Sequence, residues 1–361
     1  MTLLEGIREW VALESPTDDK AAVDRLIDRI EADLLATGAA VERIPVRDYG
    51  DHLIARWGSE GPGILLLCHV DTVWPRGSKT FYVEGDRAYG PGIYDMKGGA
   101  YLAYHALREL AAAGSRTPLP LTLLVNTDEE VGSPTSRALI ESQALRNKYV
   151  LVFEPANLPD GAVKTWRKGW GRFTIKVRGR PSHAGADHAA GRSAIAELAR
   201  HILDLEAMTD YDSGTTVNVG VIRGGTRPNV VPAEAEAEVD LRVVTTAEAE
   251  RMVRAILGRQ PTRDGLVVEV SGGINRGPLT REMSADLYEH ARRCAAALGL
   301  PLPETGSGGV SDGNLTAGVG VPTLDGLGAV GAGAHALEEH IIVSALAPRA
   351  ALIKRILETL T

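Results

Sequence analysis

The chain has 361 residues, 44% of them hydrophobic and 24% charged, with a formal net charge of -8. At roughly 150 residues per domain the length points to two domains rather than one, and so ordinary a composition excludes a fibrous or largely disordered protein. Acidic side chains outnumber basic ones, 47 to 39, and no basic stripe is interleaved with aromatics, which excludes a nucleic-acid partner; no run of 18 apolar residues occurs, which argues against a membrane span.

The first 160 residues alternate short apolar runs with helical patterns, the pattern of an α/β sheet with helices packed on it. Strands are expected at Ile64 to Cys68, Leu121 to Asn126 and Tyr149 to Phe153, none with regular polar alternation, as parallel strands buried on both faces require. Helices are expected at Met96 to Ala113, stopped by Gly114, and at Ser133 to Ala144. From about Arg172 the pattern changes. The segment parses as strand Phe173 to Val177, helix Ala190 to Met208, strand Thr215 to Ile222, strand Ala233 to Val244, helix Thr246 to Leu257 and strand Leu266 to Val270.

In the first of these helices Ile195, Leu198, Ile202 and Leu205 recur at steps of three and four, one buried face. From Ala233 to Val243 small or apolar residues alternate with Glu, Asp and Arg, so one face of that strand is buried and the other wet. The order β-α-β-β-α-β is the ferredoxin-like split unit. Glu282 to Leu298 and Ala345 to Leu357 return to long helical patterns. The fold class is therefore α/β, a mixed and mostly parallel sheet with helices on both faces, interrupted by a ferredoxin-like domain. The expected boundaries are 1–168 and 277–361 for the sheet domain and 169–276 for the insert.

Polar clusters follow the strands, where ligands sit in open α/β sheets. They are His69-Val70-Asp71, Asp128-Glu129-Glu130 and Glu154, joined by Asp95 in a loop and by a distant His335. Singly, each has an ordinary explanation as a cap or surface group. Together, carboxylates and imidazoles converging on one sheet edge need a cation between them. Mixed nitrogen and oxygen donors favour zinc or a similar transition ion. Five ligands, His69, Asp95, Glu130, Glu154 and His335, exceed one catalytic zinc but suit two ions if one carboxylate bridges them. Glu129 is then free to take the proton of an attacking water and pass it to the leaving nitrogen. Asp71, two residues after His69, would hold the other ring nitrogen.

These residues resemble the dinuclear zinc aminoacylase and glutamate carboxypeptidase family of metallopeptidases. The resemblance rests on His69-Val-Asp71-Thr-Val, Gly90-Pro-Gly-Ile-Tyr-Asp95-Met-Lys-Gly-Gly, Asn126-Thr-Asp-Glu129-Glu130-Val-Gly-Ser, Phe153-Glu154-Pro, Arg180-Pro-Ser-His183-Ala-Gly and Gly331-Ala-Gly-Ala-His335, in family order along nearly the whole chain. It implies that Asp95 bridges two zinc ions, with cobalt a possible substitute. His69 and Glu154 would complete one ion, Glu130 and His335 the other. It also implies Glu129 as general base and a cis peptide after Asp95. His183 would reach across a homodimer formed through the inserted lid and polarise the scissile carbonyl. Asn218, and Arg276 after the last strand of the insert, would bind the substrate carbonyl or carboxylate. Arg227 is a weaker candidate, and the Gly308–Gly313 loop, Gly309 included, would offer backbone amides.

The implied reaction is cleavage of an amide bond beside a free carboxylate in a small peptide, glutamate carboxypeptidase-like, or in an N-acyl amino acid, aminoacylase-like. A non-catalytic relative of the fold is the reading from another class, opposed by the presence of every ligand and the base. Two accidental motifs are weak. Gly326-Leu-Gly328-Ala-Val-Gly331 fits a dinucleotide fingerprint without its acidic partner. Gly309-Val-Ser311-Asp-Gly313 fits a nucleophile elbow with Asp325 and His335 following, but Pro301 to Ser307 does not read as the strand an elbow needs.

Cys68 and Cys294 lack metal or disulfide spacing, and the amino terminus lacks a basic and apolar leader, so a reducing cytoplasm is the expected location. Cys68 reads as a small buried hydrophobe, and His52, His105, His188, His201, His290 and His340 as structural or surface residues. The 40 Gly and 19 Pro residues fall largely in loops beyond strand ends, where backbone has to approach ions and substrate closely.

Overall fold

The computed structural model describes residues 2–361. Two compact units emerge: one takes the chain up to Trp166 together with Thr280–Ser307 and Ser311–Thr361, the other Arg167–Leu279 with Gly308–Val310.

In the first unit a six-stranded sheet runs in the order Ala40–Ile44, His52–Trp57, Leu121–Asn126, Ile64–His69, Tyr149–Val152, Thr323–Leu324. The first two strands are antiparallel to their neighbours and the rest are parallel. Strand periodicity explains its burial. Ile64, Leu66 and Cys68 enter one core with Leu121, Leu123 and Val125, while Leu65 and Leu67 enter the core on the opposite face with Leu124 and Val152. The larger core is closed by helices Leu3–Ala12, Lys20–Leu35, Gly98–Ala112, Arg281–Ala297 and Leu346–Thr359. The smaller is closed by Arg137–Leu145 and Gly313–Gly318 through Ile140, Ala144 and Leu315.

A second, five-stranded sheet has no counterpart in the sequence reading. Its order is Tyr82–Glu84, Arg87–Tyr89, His340–Ile342, Val330–Ala332, Ala156–Asn157. These strands have only two or three residues, too short for periodicity to reveal. Glu304–Ser307 pairs with Val163–Arg167 as a further small sheet, which corrects the reading of Pro301 to Ser307 as lacking a strand.

In the second unit the elements are strand Gly169–Arg178, helix Ala194–Glu206, strands Thr216–Gly224 and Glu234–Val243, helix Thr246–Leu257 and strand Val267–Arg276. The sheet is antiparallel, in the order Thr216–Gly224, Glu234–Val243, Gly169–Arg178, Val267–Arg276. Ala235, Ala237, Val239, Leu241 and Val243 are buried. Their even-numbered neighbours meet cations on the wet face, Glu236 with Lys176 at 3.2 Å and Glu238 with Arg172 and Arg223. Two readings need correction here. Ile195 is exposed rather than part of the buried helix face; Ala194, Glu197, Leu198, His201 and Leu205 form it with Ile202 partly buried against the same core, and the Glu197 carboxylate is buried there as acceptor of the Thr262 N–H and hydroxyl, each at 2.5 Å. Arg276 does not follow the last strand but ends it, since pairing continues to Trp170 past the point where the apolar pattern fades.

Among the described residues no helix is long and apolar enough to cross a membrane.

Candidate metal centre

Parallel strands end side by side, and His69 pairs in register with Asn126. His69 is thereby fixed at one strand end, the Asp128–Glu130 turn leaves the next, and Glu154 leaves a third, two residues after Val152. The remaining ligand candidates come from the small sheet. His335 lies in the loop between the antiparallel strands Val330–Ala332 and His340–Ile342, with φ of 60°, a left-handed conformation uncommon for a non-glycine residue. Asp95 follows Arg87–Tyr89, which pairs with His340–Ile342. The turn into Asp95 passes through Gly92 at φ of 68°, where a Cβ would lie 2.3 Å from Thr72. The Asp95–Met96 peptide bond is cis.

These segments gather the five candidates. His69 Nε2 lies 3.3 Å from Asp95 Oδ1 and 3.6 Å from Glu154 Oε1. His335 Nε2 lies 3.5 Å from Asp95 Oδ2 and 3.1 Å from Glu130 Oε2. Asp95 therefore turns one oxygen to each imidazole. Donor atoms of His69, Asp95 and Glu130 all fall within 4.8 Å of one another. Among the described residues Asp95 Oδ1 and Glu130 Oε1 are buried without a hydrogen-bond partner, although buried polar atoms are nearly always paired.

The electrostatics state the same need. Burial opposes charge on His69, yet Asp71, Asp95 and Glu154 together hold its pKa well above the imidazole range. Asp95 and Glu130 push His335 up to about 10. Burial and the Asp95 charge push Glu130 up to about 7. Burial would raise Asp95, but the two imidazoles hold it well below the carboxylate range. So many carboxylates in so little water draw in positive charge, as protons on the rings or as metal. The donor set of imidazole and carboxylate without thiolate fits divalent transition ions, and the two orphaned oxygens are lone pairs such ions would take.

Around the cluster, Asp71 lies 3.4 Å from His69 Nδ1 and accepts from Thr17 Oγ1 at 2.8 Å and from the Glu129 and Glu130 N–H groups at 3.3 and 3.2 Å. The Asp71 backbone carbonyl lies closer still to His69 Nδ1, at 3.1 Å, so this residue orients the ring with its carbonyl and carboxylate and holds with its carboxylate the turn that carries Glu129, which is half-buried beside Glu130. Sequence reasoning missed Thr17 and, more importantly, Glu339. This fully buried carboxylate accepts from the backbone N–H groups of Gly92, Tyr94 and Asp95 at 3.0 to 3.1 Å and from Trp74 Nε1 at 2.7 Å. Its only sequence signal is its place four residues after His335.

The other candidates belong to the second unit. His183 is exposed, and its Nδ1 accepts from the Gly185 and Ala186 N–H groups, both at 3.1 Å. Asn218 and Arg227 are exposed, Arg276 is buried, and the Gly309 carbonyl accepts from Arg167 at 3.2 Å. Asn218 and Arg276 stand on opposite edge strands of the sheet, so the unit does not bring these two together.

The sequence profile of peptidase family M20/M25/M40 matches residues 65–359. The chain belongs to this family. It is 29% identical over 369 aligned positions to carboxypeptidase G2 of Pseudomonas sp. (strain RS-16), covering 98% of this chain and 88% of that protein. It is 30% identical over 320 positions to the succinyl-diaminopimelate desuccinylase of Alkalilimnicola ehrlichii, covering 81% and 83%. The fold matches that of aminopeptidase PepT from Bacillus cereus at a TM-score of 0.85 and 24% identity, covering 99% of this chain and 97% of that one. A Bacillus subtilis protein described as a dinuclear metal binding peptidase of the M20 family matches at 0.74 and 16%, covering 99% and 98%.

A member of peptidase family M20/M25/M40 is a metal-dependent hydrolase, and the competing motifs fit that assignment. Ser311 is fully buried and donates to Asp325 Oδ2 at 2.6 Å, while His335 faces Asp95 and Glu130, so no serine triad forms. Gly326 to Gly331 joins two short strands and opens no helix. Cys68 is buried, its thiol pushed up to about 12 by desolvation.

Proposed function

We propose that the chain hydrolyses an amide bond beside a free carboxylate, with glutamate carboxypeptidase-like cleavage of small peptides as the leading activity. The observation that carries this reading is the Asp95 carboxylate, with Oδ1 beside His69, which also neighbours Glu154, and Oδ2 beside His335, which also neighbours Glu130. Two zinc ions held by these residues would lower the pKa of a water and polarise the scissile carbonyl. Cobalt, with similar ligand preferences, is the natural substitute.

The chain's own groups do the rest. Glu129, aimed by the hydrogen bond from its N–H to Asp71, takes the proton of the attacking water and returns it to the leaving nitrogen. Asp71 keeps the His69 ring in the orientation that presents Nε2. In His183 the two backbone donors to Nδ1 leave the proton on Nε2, which makes it a donor for the carbonyl oxygen as negative charge develops. Arg276, Asn218 and the Gly309 amide are assigned to substrate carbonyl and carboxylate, with Arg227 as the weaker candidate.

We assign the first unit to catalysis and the second, ferredoxin-like in strand order, to lid and dimer contacts. Asn218 and Arg276 are separated by three strand spacings, roughly 14 Å, so one small substrate is better served by groups from two copies. On the outer strand Thr216–Gly224 the Thr209 and Glu206 side chains take the edge groups of Val217 and Val219, and beyond them Val221 and Ile222 are exposed, as an edge that meets a second copy would leave them. Light scattering on the purified chain tests the dimer.

The 30% identity to a desuccinylase keeps N-acyl amino acid deacylation as the second reading. Both reactions break an amide next to a carboxylate. The deciding experiment supplies zinc or cobalt and screens dipeptides ending in glutamate, N-acyl amino acids and matched substrates with an amidated carboxyl terminus, read by mass spectrometry. Cleavage is expected only where the carboxylate is free. Equal rates on the amidated substrates would overturn the proposal.

A further inference from the structure

Glu339 is a charged side chain with no exposure to water, in a place where the metal chemistry does not use it. An ionised carboxylate offers about four acceptor positions, and here four N–H donors take them. Oε1 receives the N–H groups of Tyr94 and Asp95, and Oε2 those of Gly92 and the Trp74 indole. Lys79 supplies a cation 3.7 Å away, is itself stacked 3.9 Å over the Trp74 ring, and donates to the Ala336 carbonyl at 2.8 Å. Three of the four donors belong to the turn that ends in Asp95.

Asp95 has little else to hold it. Its Oδ1 is buried and accepts no hydrogen bond among the described residues, and its contacts are with the other ligands. The position of its carboxylate therefore follows its backbone, which Glu339 holds through the Gly92, Tyr94 and Asp95 N–H groups beside the turn's own Lys97 N–H to Gly92 carbonyl bond at 2.9 Å. The same short loop, between Val330–Ala332 and His340–Ile342, also carries His335. One loop thus contributes a ligand directly and fixes a second ligand through three backbone amides.

We propose that Glu339 is the positioning residue of the metal centre, holding the Asp95 carboxylate at the spacing that two ions require while binding no ion itself. The inference rests on the dinuclear reading of the site. Glu339→Gln tests it with almost no change of shape, because the amide NH₂ would confront backbone or indole N–H donors and leave them unpaired.

The experiment measures zinc stoichiometry and affinity by chelator competition on the full chain, together with the absorption spectrum of the cobalt-loaded protein. Outer-shell partners of metal ligands are typically worth 10–100-fold in affinity, so Glu339→Gln should weaken binding of at least one ion by about tenfold or more and shift the cobalt bands. Its kcat should fall with KM little changed. Glu339→Asp, which restores the charge, should recover part of the loss. Trp74→Phe removes one donor to Glu339 without touching the Asp95 turn and should leave both affinities within about twofold, well short of that range.

Wild-type affinities and cobalt spectrum in Glu339→Gln would overturn the assignment. So would an equal loss in Trp74→Phe, since general packing damage would then suffice. If Glu339→Gln does not fold, the cobalt spectrum of Glu339→Asp decides: bands identical to wild type overturn the proposal and shifted bands support it. Wild-type protein that binds no pair of ions would overturn the dinuclear reading itself, and this assignment with it.

Discussion

Two groups of buried carboxylates lie within the first unit, and they are satisfied in opposite ways. Asp128 accepts from the backbone and hydroxyl groups of Thr135 and Ser136, and Asp312 accepts from Asn126 Nδ2 at 2.7 Å and Ser133 Oγ at 2.5 Å. Asp128 is thus answered by neutral donors that the fold provides. Asp95 and Glu130 instead face imidazoles and each other, and each keeps a buried oxygen with no donor. Burial alone therefore does not mark a functional carboxylate. Saturation by neutral donors marks one that holds its neighbours in place, and incomplete saturation among imidazoles marks one whose lone pairs suit a cation.

The largest effect is expected at the base beside the unsaturated group. Glu129→Gln should lower kcat by about 10²- to 10⁴-fold, the usual worth of a positioned proton acceptor, with zinc still near two per chain by plasma emission analysis. Full activity in that variant would remove Glu129 from the mechanism. His335→Ala should act on the ions instead. It removes the one imidazole facing Glu130, so equilibrium dialysis should find one tightly held zinc per chain, with most of the activity gone. Retention of two ions would show that the cluster does not divide into two sites around Asp95.

How much of this was legible in the sequence depends on what each feature requires. The strand Ile64–His69 and the alternating strand Glu234–Val243 announced themselves because burial on two faces and on one face leave different apolar patterns. The metal ligands were legible because imidazoles and carboxylates after strand ends are chemically conspicuous. Helix starts were not. The helix expected from Met96 begins at Gly98, because Asp95 and Met96 keep non-helical torsions to present the carboxylate. The helix expected from Ser133 begins at Arg137, because Ser133 takes φ of 58° and donates its hydroxyl to Asp312 while Thr135 and Ser136 turn their hydroxyl and amide donors on Asp128. Glu339 was hidden for another reason: as half of Glu338-Glu339 it looks like a solvated acidic pair, and only the pairing of three-residue strands buries it.

At the saturated group the expected effect is on stability rather than turnover. Asp128→Asn retains one acceptor oxygen but sets amide hydrogens against donors of Thr135 and Ser136. Hydrogen bonds to a charged group are worth about 1.5–3 kcal/mol, so denaturant unfolding should show a loss in that range while zinc affinity stays near wild type. Loss of zinc with unchanged stability would reverse the roles of the two groups.

The smallest effect is expected at a third kind of carboxylate, answered by cations of the protein itself. Asp51 is 13% exposed and meets Lys20 at 2.6 Å and Arg43 at 2.8 Å, with the Val46 N–H also donating. Burial would raise its pKa, but these donors outweigh burial and hold it at about 2, below the usual 3.8. A depressed carboxylate stabilises the fold above its unfolded pKa and loses that contribution as pH falls through the folded value. The stability difference between wild type and Asp51→Asn should therefore be level from pH 7 to about 4 and close between about 4 and 2. Solvent screening near the surface limits it to about 1 kcal/mol. A difference that grows as the pH falls would mean that Asp51 is held by shape rather than by charge.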